Sequence, residues 1–335
     1  MHDYPMEGMD DEVIFTNPLM DSQGTSISVS DPLGMEPEGD WGIMSGGADF
    51  GLGCPPRWYA IGEAFALRRE GNSNFSLSNG GRFDSFDYDL AGRLTIGRTY
   101  DCLDGWEASY AGPFRWRQEF TTFSDGNLQT FLLPGRALSD ADFAAFNNAD
   151  SHRQTRTSEL HSGEVSRRWW GWDVFSLKLG ARYLRVEEGY ELFSQSGGGF
   201  GTYQRDFQND IGLIQLGIDM MAPLGPWTFG AKVNGGVGIN FNSGSLLLAD
   251  NGGVTLDNGS SSEQFAFLIE AGLFSIYRLT DRVSLHAGYE AWYLWGVATP
   301  HRQDHTPVNF DSGLSYYERD DIFYHGGTLG LEIVW

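Results

Sequence analysis

The dominant pattern along most of the chain is alternation, in which apolar and polar residues take turns along extended segments. In the segment 227–241, the odd positions from Trp227 to Phe241 are largely apolar, whereas Lys232, Asn234 and Asn240 fall at even positions. Residues two apart share a face of a β-strand, so each such segment has one apolar and one polar face. No helical period of comparable length appears, and the pattern predicts an all-β fold.

The alternation predicts ten strands, at 57–69, 85–99, 105–120, 154–167, 173–188, 204–220, 227–242, 263–278, 283–298 and 321–335. Short and long connections alternate between these strands. A soluble β-sandwich has no reason to sort its loops by length, whereas an outer-membrane barrel has short turns at one end, long loops at the other and an even strand count. We therefore predict an antiparallel up-and-down transmembrane β-barrel of about ten strands over 57–335, with its apolar face outward. The alternative is a large β-sandwich whose apolar face is its core.

Residues 1–56 differ from the rest of the chain, with eleven acidic residues and no lysine or arginine. Self-repelling charge and few apolar residues predict a disordered acidic extension. The first residues show neither the basic nor the apolar region of a signal peptide. Either the export signal is missing from this sequence or the protein is cytoplasmic. The predicted transmembrane barrel favours the cell outer membrane with a missing export signal.

Composition narrows the possible functions. The formal net charge of −23 excludes general electrostatic binding of nucleic acid, which carries the same sign. Glycine (45 residues) and aromatic residues (14 %) are abundant, as is typical of β-structure with short turns. The two cysteines, Cys54 and Cys102, cannot form a four-ligand zinc site, and whether they form a disulfide stays open.

The last strand ends on an alternating apolar run, and its final residue is aromatic. Thr328, Gly330, Ile333 and Trp335 match the polar-x-Gly-x-x-apolar-x-aromatic pattern of the bacterial barrel-insertion signal. The pattern predicts that the barrel-assembly machinery is a partner, besides outer-membrane lipid. The oligomeric state is not indicated.

Four sequence blocks carry a resemblance to a known family: RWYAIGEAFAL, WWGWDVFSLKLGARYLRVEEGYELF, NDIGLIQLGIDMMAPLGPWTFGAKVNGGVG and LTDRVSLHAGYEAWYLWGVA. In their order and spacing over about 57–335, they resemble the putative β-barrel porin family of planctomycete-type bacteria, the seventh so catalogued. The resemblance implies an exported outer-membrane barrel of largely unassigned function. It carries over no catalytic residues.

Motifs for catalysis and metal binding are absent from the sequence: there is no G-x-S-x-G, H-E-x-x-H, EF-hand or P-loop pattern. His301 and His305 lie four apart in a predicted surface loop, and the segment 250–259 is rich in carboxylates and carbonyls without fixed ligand spacing. We therefore expect no enzyme activity, no cofactor and no metal site. A solvated loop is the simpler interpretation of both segments.

The polar faces of the strands predict an inward-facing ionic network. Its members are Glu63, Arg93, Glu107, Arg115, Lys178, Arg182, Lys232, Glu270, Arg278, His286, Glu290 and Glu332, with the fourth strand too ambiguous to assign. Charges in a narrow interior must pair, because an isolated buried charge is costly. One interpretation is an ionic core that stabilises the barrel. The other is an ion-selective channel or an embedded active site with His286 beside Glu290.

The predicted lumen is narrow or closed. Barrels of about eight strands hold mainly side chains, whereas porins with an aqueous channel use about 16–18 strands. Tyr59, Phe65, Trp292 and Leu294 add bulk to the inward face. A structural or passive small-solute porin-like role is therefore favoured. A surface-binding barrel that acts through its long loops is the second hypothesis, and an outer-membrane hydrolase is the third.

Overall fold

The computed structural model describes residues 56–71, 75–101, 103–135, 138–172, 174–300, 308 and 319–335. Ten antiparallel strands form a closed barrel in which each strand pairs with its neighbours in sequence and the last pairs with the first. The strands are β1 (Arg57–Glu70), β2 (Tyr88–Thr99), β3 (Asp104–Leu128), β4 (Ala149–Trp172), β5 (Phe175–Ser196), β6 (Gly199–Leu224), β7 (Trp227–Asp250), β8 (Gly253–Arg278), β9 (Val283–Val297) and β10 (Asp320–Val334). The predicted ten-stranded antiparallel barrel is confirmed.

The two ends of the barrel differ. The connections β2–β3, β4–β5, β6–β7 and β8–β9 all lie at one end, which we call the turn end. The barrel closes at this end, where Trp58 and Trp335 exchange two backbone hydrogen bonds of 2.9 Å. A short 3-10 helix, Asp140–Phe146, lies at the opposite end, which we call the projecting end. No helix in the described ranges is long and apolar enough to cross a membrane.

Two of the predicted long loops are wrong. The segments 189–203 and 243–262 are mostly strand, because β5 pairs with β6 as far as Ser196 and Gly199, and β7 pairs with β8 as far as Asp250 and Gly253. Each hairpin is closed by two residues. The predicted loop 121–153 is likewise shortened, because β3 extends to Leu128 and β4 begins at Ala149. The carboxylate-rich segment 250–259 comprises the end of β7, the two-residue turn and the first seven residues of β8. The projecting end therefore consists largely of long β-hairpins rather than loops.

The apolar face of the strands points outward, as predicted. Ile214 and Leu273 are 70 % and 68 % exposed, and Leu94, Val237 and Leu331 are also exposed. Their sequence neighbours lie on the other face, toward the lumen, where they are buried or only partly exposed. This arrangement excludes the β-sandwich alternative, in which the apolar face would be the core.

The lumen is filled in layers, which can be followed along the inward face of β5. Arg182 belongs to an ionic layer, Leu184 and Val186 to a middle apolar layer, Glu188 to a second polar layer and Tyr190 to an upper apolar cluster. The middle apolar layer comprises Phe65, Leu67, Phe86, Ala111, Phe114, Trp116, Leu160, Leu184, Val186, Ile211, Leu213, Ala266, Leu268, Trp292, Leu294, Val297, Ile322 and Tyr324. Connecting segments from the projecting end pack in the upper cluster through Leu77, Phe83, Leu132, Phe143, Phe146 and Val308.

Several predictions made from the sequence lie outside the described residues. These are the acidic extension up to residue 55, the cysteines and the histidine pair His301 and His305. The first strand, β1, begins at Arg57.

Candidate functional site

The ionic layer lies in the half of the lumen nearest the turn end. Ten of the twelve predicted network residues line one cavity of about 240 Å³ there: Glu63, Arg93, Glu107, Lys178, Arg182, Lys232, Glu270, His286, Glu290 and Glu332. The bulky inward residues Tyr59 and Trp292 line the same cavity. The alternation of the strands brings these side chains together from opposite walls of the barrel.

Glu290 on β9 is the most heavily bonded carboxylate of the layer. Both terminal guanidinium nitrogens of Arg93, Nη1 and Nη2, donate to it at 2.6 Å, and the Lys232 ammonium donates at 2.7 Å. The Trp292 indole N–H lies 3.2 Å from the same carboxylate. Arg93 also lies 3.4 Å from Glu63. A carboxylate that is 5 % exposed is thus fully paired.

Glu270 on β8 is held in the same way. Arg182 donates to one carboxylate oxygen at 2.5 Å, and Lys232 lies 2.9 Å from the other. Lys232 therefore bridges Glu270 and Glu290, which lie on adjacent strands. This arrangement compensates two carboxylates that would otherwise repel each other in a poorly solvated interior.

A second group of charges centres on Glu107 of β3. It accepts hydrogen bonds from Tyr59 and Arg168, both at 3.1 Å, and lies 3.5 Å from the Lys178 ammonium. Lys178 in turn pairs with Glu164 at 2.7 Å. Arg168 also donates to Asp219 on β6.

His286 does not pair with Glu290. Its Nε2 atom lies 2.8 Å from Glu332 on β10, nearer the turn end. Glu290 is instead occupied by Arg93 and Lys232, so His286 and Glu290 do not form the pair that the active-site hypothesis placed there. The ionic-core interpretation accounts for both residues.

Two predicted network members require correction. Arg115 points outward, with its side chain 69 % exposed and paired with Glu159 at 3.2 Å. The register between β3 and β4 shifts between Ala111 and Phe114, so the face of every later residue of β3 is reversed. Arg278 is the last residue of β8, at the turn end, and is not among the residues that line the cavity.

Sequence reasoning missed three members of the network: Glu164, Arg168 and Asp219. The first two lie on β4. Most outward residues of this strand are polar, like its inward ones, so apolar and polar positions do not alternate clearly in its sequence. The inward orientation of Asp219 could have been predicted. Its neighbours Ile218 and Met220 are apolar members of an alternating run, and both point outward.

The middle apolar layer closes the cavity on its far side. Phe65 makes edge-to-face contacts with Phe114 and Trp292, at centroid distances of 5.3 and 5.7 Å. The guanidinium of Arg93 lies 4.4 Å from the Phe65 ring centroid, and that of Arg182 lies 4.4 Å from Trp292. The arginines of the ionic layer thus pack directly on the aromatic rings of the middle apolar layer.

A second polar layer lies beyond the apolar one. The Arg69 guanidinium pairs with Glu188 at 2.9 Å, with both side chains 2 % exposed, and the Ser158 hydroxyl donates to the same carboxylate at 2.7 Å. Closer to the projecting end, the Ser78 hydroxyl lies 2.6 Å from Nδ1 of His152, and the His152 Nε2 atom lies 3.2 Å from the Phe146 carbonyl. Burial lowers the pKa of His152, which favours the neutral ring.

The Ser78–His152 pair was not expected from the sequence. It places a hydroxyl against a base, as in nucleophilic catalysis. Both residues are buried, at 2 % and 0 % exposure, and the third partner is a backbone carbonyl rather than a carboxylate. The pair anchors the β1–β2 connection to β4.

The predicted assembly-signal residues divide between the two faces of β10. Thr328 and Gly330 point into the lumen, whereas Ile333 and Trp335 are 52 % and 60 % exposed on the outer surface. Recognition by assembly machinery stays a prediction. Across the described part of the chain, no group of three or more histidine, cysteine or acidic side chains is placed to hold a metal ion.

Comparisons with known proteins give outer-membrane barrels as structural neighbours. The outer-membrane protease OmpT of Escherichia coli has a TM-score of 0.41 at 10 % identity, covering 85 % of this chain and 98 % of that chain. The translocator domain of the autotransporter NalP from Neisseria meningitidis has a TM-score of 0.37 at 13 % identity, covering 87 % and 91 %. The attachment invasion locus protein Ail of Yersinia pestis has a TM-score of 0.29 at 11 % identity, covering 84 % and 99 %. No family model matches the chain. No curated protein matches it either.

Proposed function

We propose that this chain is an outer-membrane β-barrel with a closed lumen and a structural role, rather than a pore for bulk solutes. The observation that carries the proposal is the pair of layers across the lumen, one ionic and fully paired and one apolar and aromatic. The finer assignment to the planctomycete-type porin family is part of this proposal and rests on the four sequence blocks alone.

The outer surface supports placement in a membrane. Along β7 the outward residues are apolar or glycine from Trp227 to Phe241, and the next outward residue is Ser243. At about 3.3 Å per residue and a tilt of about 45°, these 14 steps span roughly 33 Å, close to the ~30 Å hydrocarbon core of a bilayer.

Both edges of this apolar belt carry aromatic residues, as at membrane interfaces. At the turn end these are Trp58, Trp106, Trp227, Tyr277 and Trp335, and at the opposite edge Tyr88, Tyr110, Tyr183, Phe241 and Tyr289. Beyond that edge, charged residues replace the apolar ones on the same face, as in the step from Tyr183 to Arg185 and from Phe265 to Glu263.

The packing of side chains in the lumen supports the proposal that the barrel is closed. Trp292 and Phe65 are 2 % and 0 % exposed, and they pack against each other from opposite sides of the β1–β10 seam. The charged groups that could have lined a channel are bonded to one another. Hydrated ions would have to break these pairs and then cross an apolar layer.

Single-channel recording in a planar bilayer tests the proposal. We expect the natural chain to give no steady conductance, and the double variant Phe65→Ala/Trp292→Ala to give measurable current, because it removes two rings from the closing layer. Trp295→Ala is the matched control, since this tryptophan lies on the outer surface. Large and stable currents from the natural chain would refute the closed lumen.

Surface binding is the second candidate, and the projecting hairpins favour it. Twelve residues of β5, from Arg185 to Ser196, lie beyond the belt and extend roughly 25–30 Å from it. Phe193 and Phe200 stack on this outer wall at a centroid distance of 6.1 Å, and Phe200 is 46 % exposed. If Phe193→Ser/Phe200→Ser abolished attachment to cells or ligand without changing permeability, binding would be the better description.

A further inference from the structure

We propose that the outer wall of the barrel holds one phospholipid with a zwitterionic, phosphoethanolamine-type headgroup in a built site. This inference rests on the proposed membrane location. It concerns a groove on the lipid-facing surface of β2–β7 and the polar residues at its upper edge.

The groove is apolar and wide open on the outer surface, with a volume of about 900 Å³. The groove exists because the outward residues at its base have small side chains or none. These residues are Ala108, Gly163, Ala181 and Gly212. Large apolar residues, including Ile96 and Ile239, form its walls. A depression of this shape fits acyl chains more closely than the convex surface around it.

The upper edge of the groove carries a chain of polar contacts on β3 and β4. The Tyr110 hydroxyl lies 2.7 Å from Nδ1 of His161, and Nε2 of His161 lies 2.9 Å from Glu159. Arg115 reaches the same carboxylate at 3.2 Å and leaves the rest of its guanidinium exposed. The reversal of the β3 face after Ala111 is what places Arg115 here, on the outside.

The neighbouring strands β5 and β6 continue the same edge. Tyr183, which lines the groove, donates a hydrogen bond to Asp210. Arg185 pairs with Glu187 at 2.6 Å and donates to Gln208 at 3.1 Å. The edge thus offers two guanidinium groups and three carboxylates directly beyond the acyl-chain groove.

The mixture of charges determines the class of headgroup. A purely anionic headgroup would meet more carboxylates than guanidinium groups and be repelled. A headgroup that combines a phosphate with an ammonium can place the phosphate at Arg115 or Arg185 and the ammonium at the carboxylates. The aromatic hydroxyls of Tyr110 and Tyr183 lie at the depth where the lipid glycerol region would sit.

Native mass spectrometry of the detergent-solubilised chain tests the site. The chain is equilibrated with equal amounts of phosphatidylethanolamine and phosphatidylglycerol that have identical acyl chains, and the lipid retained after removal of the micelle is counted. We expect one retained phosphatidylethanolamine, with a preference of at least about tenfold, or ~1.4 kcal/mol. Equal retention of both lipids would mean an unselective lipid shell and would overturn the proposal, as would a preference for phosphatidylglycerol.

Filling the groove provides the second arm. An added Cβ at Gly163 or Gly212 meets no atom within 4 Å, so Gly163→Leu/Gly212→Leu fills the groove without a clash in the wall. We expect at least tenfold lower retention of phosphatidylethanolamine. Gly235→Leu/Ala271→Leu is the matched control, because both positions face outward and lie outside the groove. Unchanged retention in the first pair would refute the site.

The headgroup contacts provide the third arm. Glu159→Gln should abolish the preference for phosphatidylethanolamine, whereas Glu119→Gln should preserve it, since Glu119 pairs with Arg117 farther from the belt. Heat-modifiable migration and flotation with vesicles establish that each variant is folded and inserted. A chain that does not float refutes the membrane placement itself, whereas a chain that floats without lipid preference refutes only the lipid site.

Discussion

Replacing Glu290 by alanine is the most direct test of the ionic core. The change removes a carboxylate that accepts hydrogen bonds from Arg93, Lys232 and Trp292 and leaves the two cations inside the lumen. Burying an unpaired charge costs far more than pairing it gains. The variant should therefore fold into a less stable barrel.

The size of the stability loss in Glu290→Ala depends on the carboxylates that still pair with Arg93 and Lys232. Removing one member of a buried pair typically costs about 3–5 kcal/mol. Arg93 keeps Glu63 at 3.4 Å, and Lys232 keeps Glu270 at 2.9 Å, so neither cation loses all its compensation. We therefore expect the free energy of unfolding to fall by about 3 kcal/mol, the lower end of this range. This is a change of roughly 150-fold in the unfolding equilibrium.

Urea unfolding of the chain in lipid vesicles, followed by tryptophan fluorescence, measures this loss. Glu119→Ala is the control, because Glu119 is 41 % exposed and its pair with Arg117 should contribute less than about 1 kcal/mol. In the double variant Arg93→Met/Glu290→Met, apolar groups replace both charges, and at least half of the stability should return. A Glu290→Ala variant within about 0.5 kcal/mol of the natural chain would refute the pairing argument, because such a small change is what a surface position gives.

Two further predictions concern the C-terminus and pH. Trp335→Asp should block insertion of the newly made chain, whereas Trp335→Phe should preserve it, as measured by outer-membrane levels; normal levels of the Asp variant would show that the terminal pattern is coincidental. Burial lowers the pKa of His152, so the unfolded chain binds its proton first and stability falls as pH drops below about 6.5. His152→Asn should flatten this dependence between about pH 7 and 5 in the temperature of the heat-modifiable transition, and an unchanged slope would contradict the assignment.

The barrel could be predicted from the sequence because one physical rule acts on every strand. Outward residues of these segments are apolar and inward residues contact the lumen, so the period of two is preserved over long segments such as Trp227–Phe241. The strand count and the inward orientation of ten network residues follow from that period alone.

The projecting hairpins could not be predicted in this way, because the rule changes beyond the belt. Outward residues there face water, so Ser243 and Ser245 replace apolar ones, and the segment looks like a polar loop. The turn chemistry was nevertheless readable. Asn251–Gly252 is a typical two-residue hairpin sequence, and it closes β7 onto β8.

The pairing of charges is the part that depends on the closed fold. Arg93 and Glu290 are 197 residues apart in sequence and meet only across the lumen. The shift at Ala111–Phe114 is equally non-local in its effect, since one extra residue turns Arg115 from the lumen to the outer surface. Alternation can name inward charges, but it gives neither their partners nor the positions at which a strand reverses its faces.

The ionic layer and the apolar layer form one unit, and this bears on how the lumen closes. Arg93 contacts both Glu290 and the face of Phe65, and Arg182 contacts both Glu270 and the face of Trp292. Each arginine therefore contacts a carboxylate on one side and an aromatic ring on the other. In the proposed closed lumen, closure therefore depends on paired charge as well as on aromatic bulk, because the carboxylates hold the guanidinium groups against the aromatic rings.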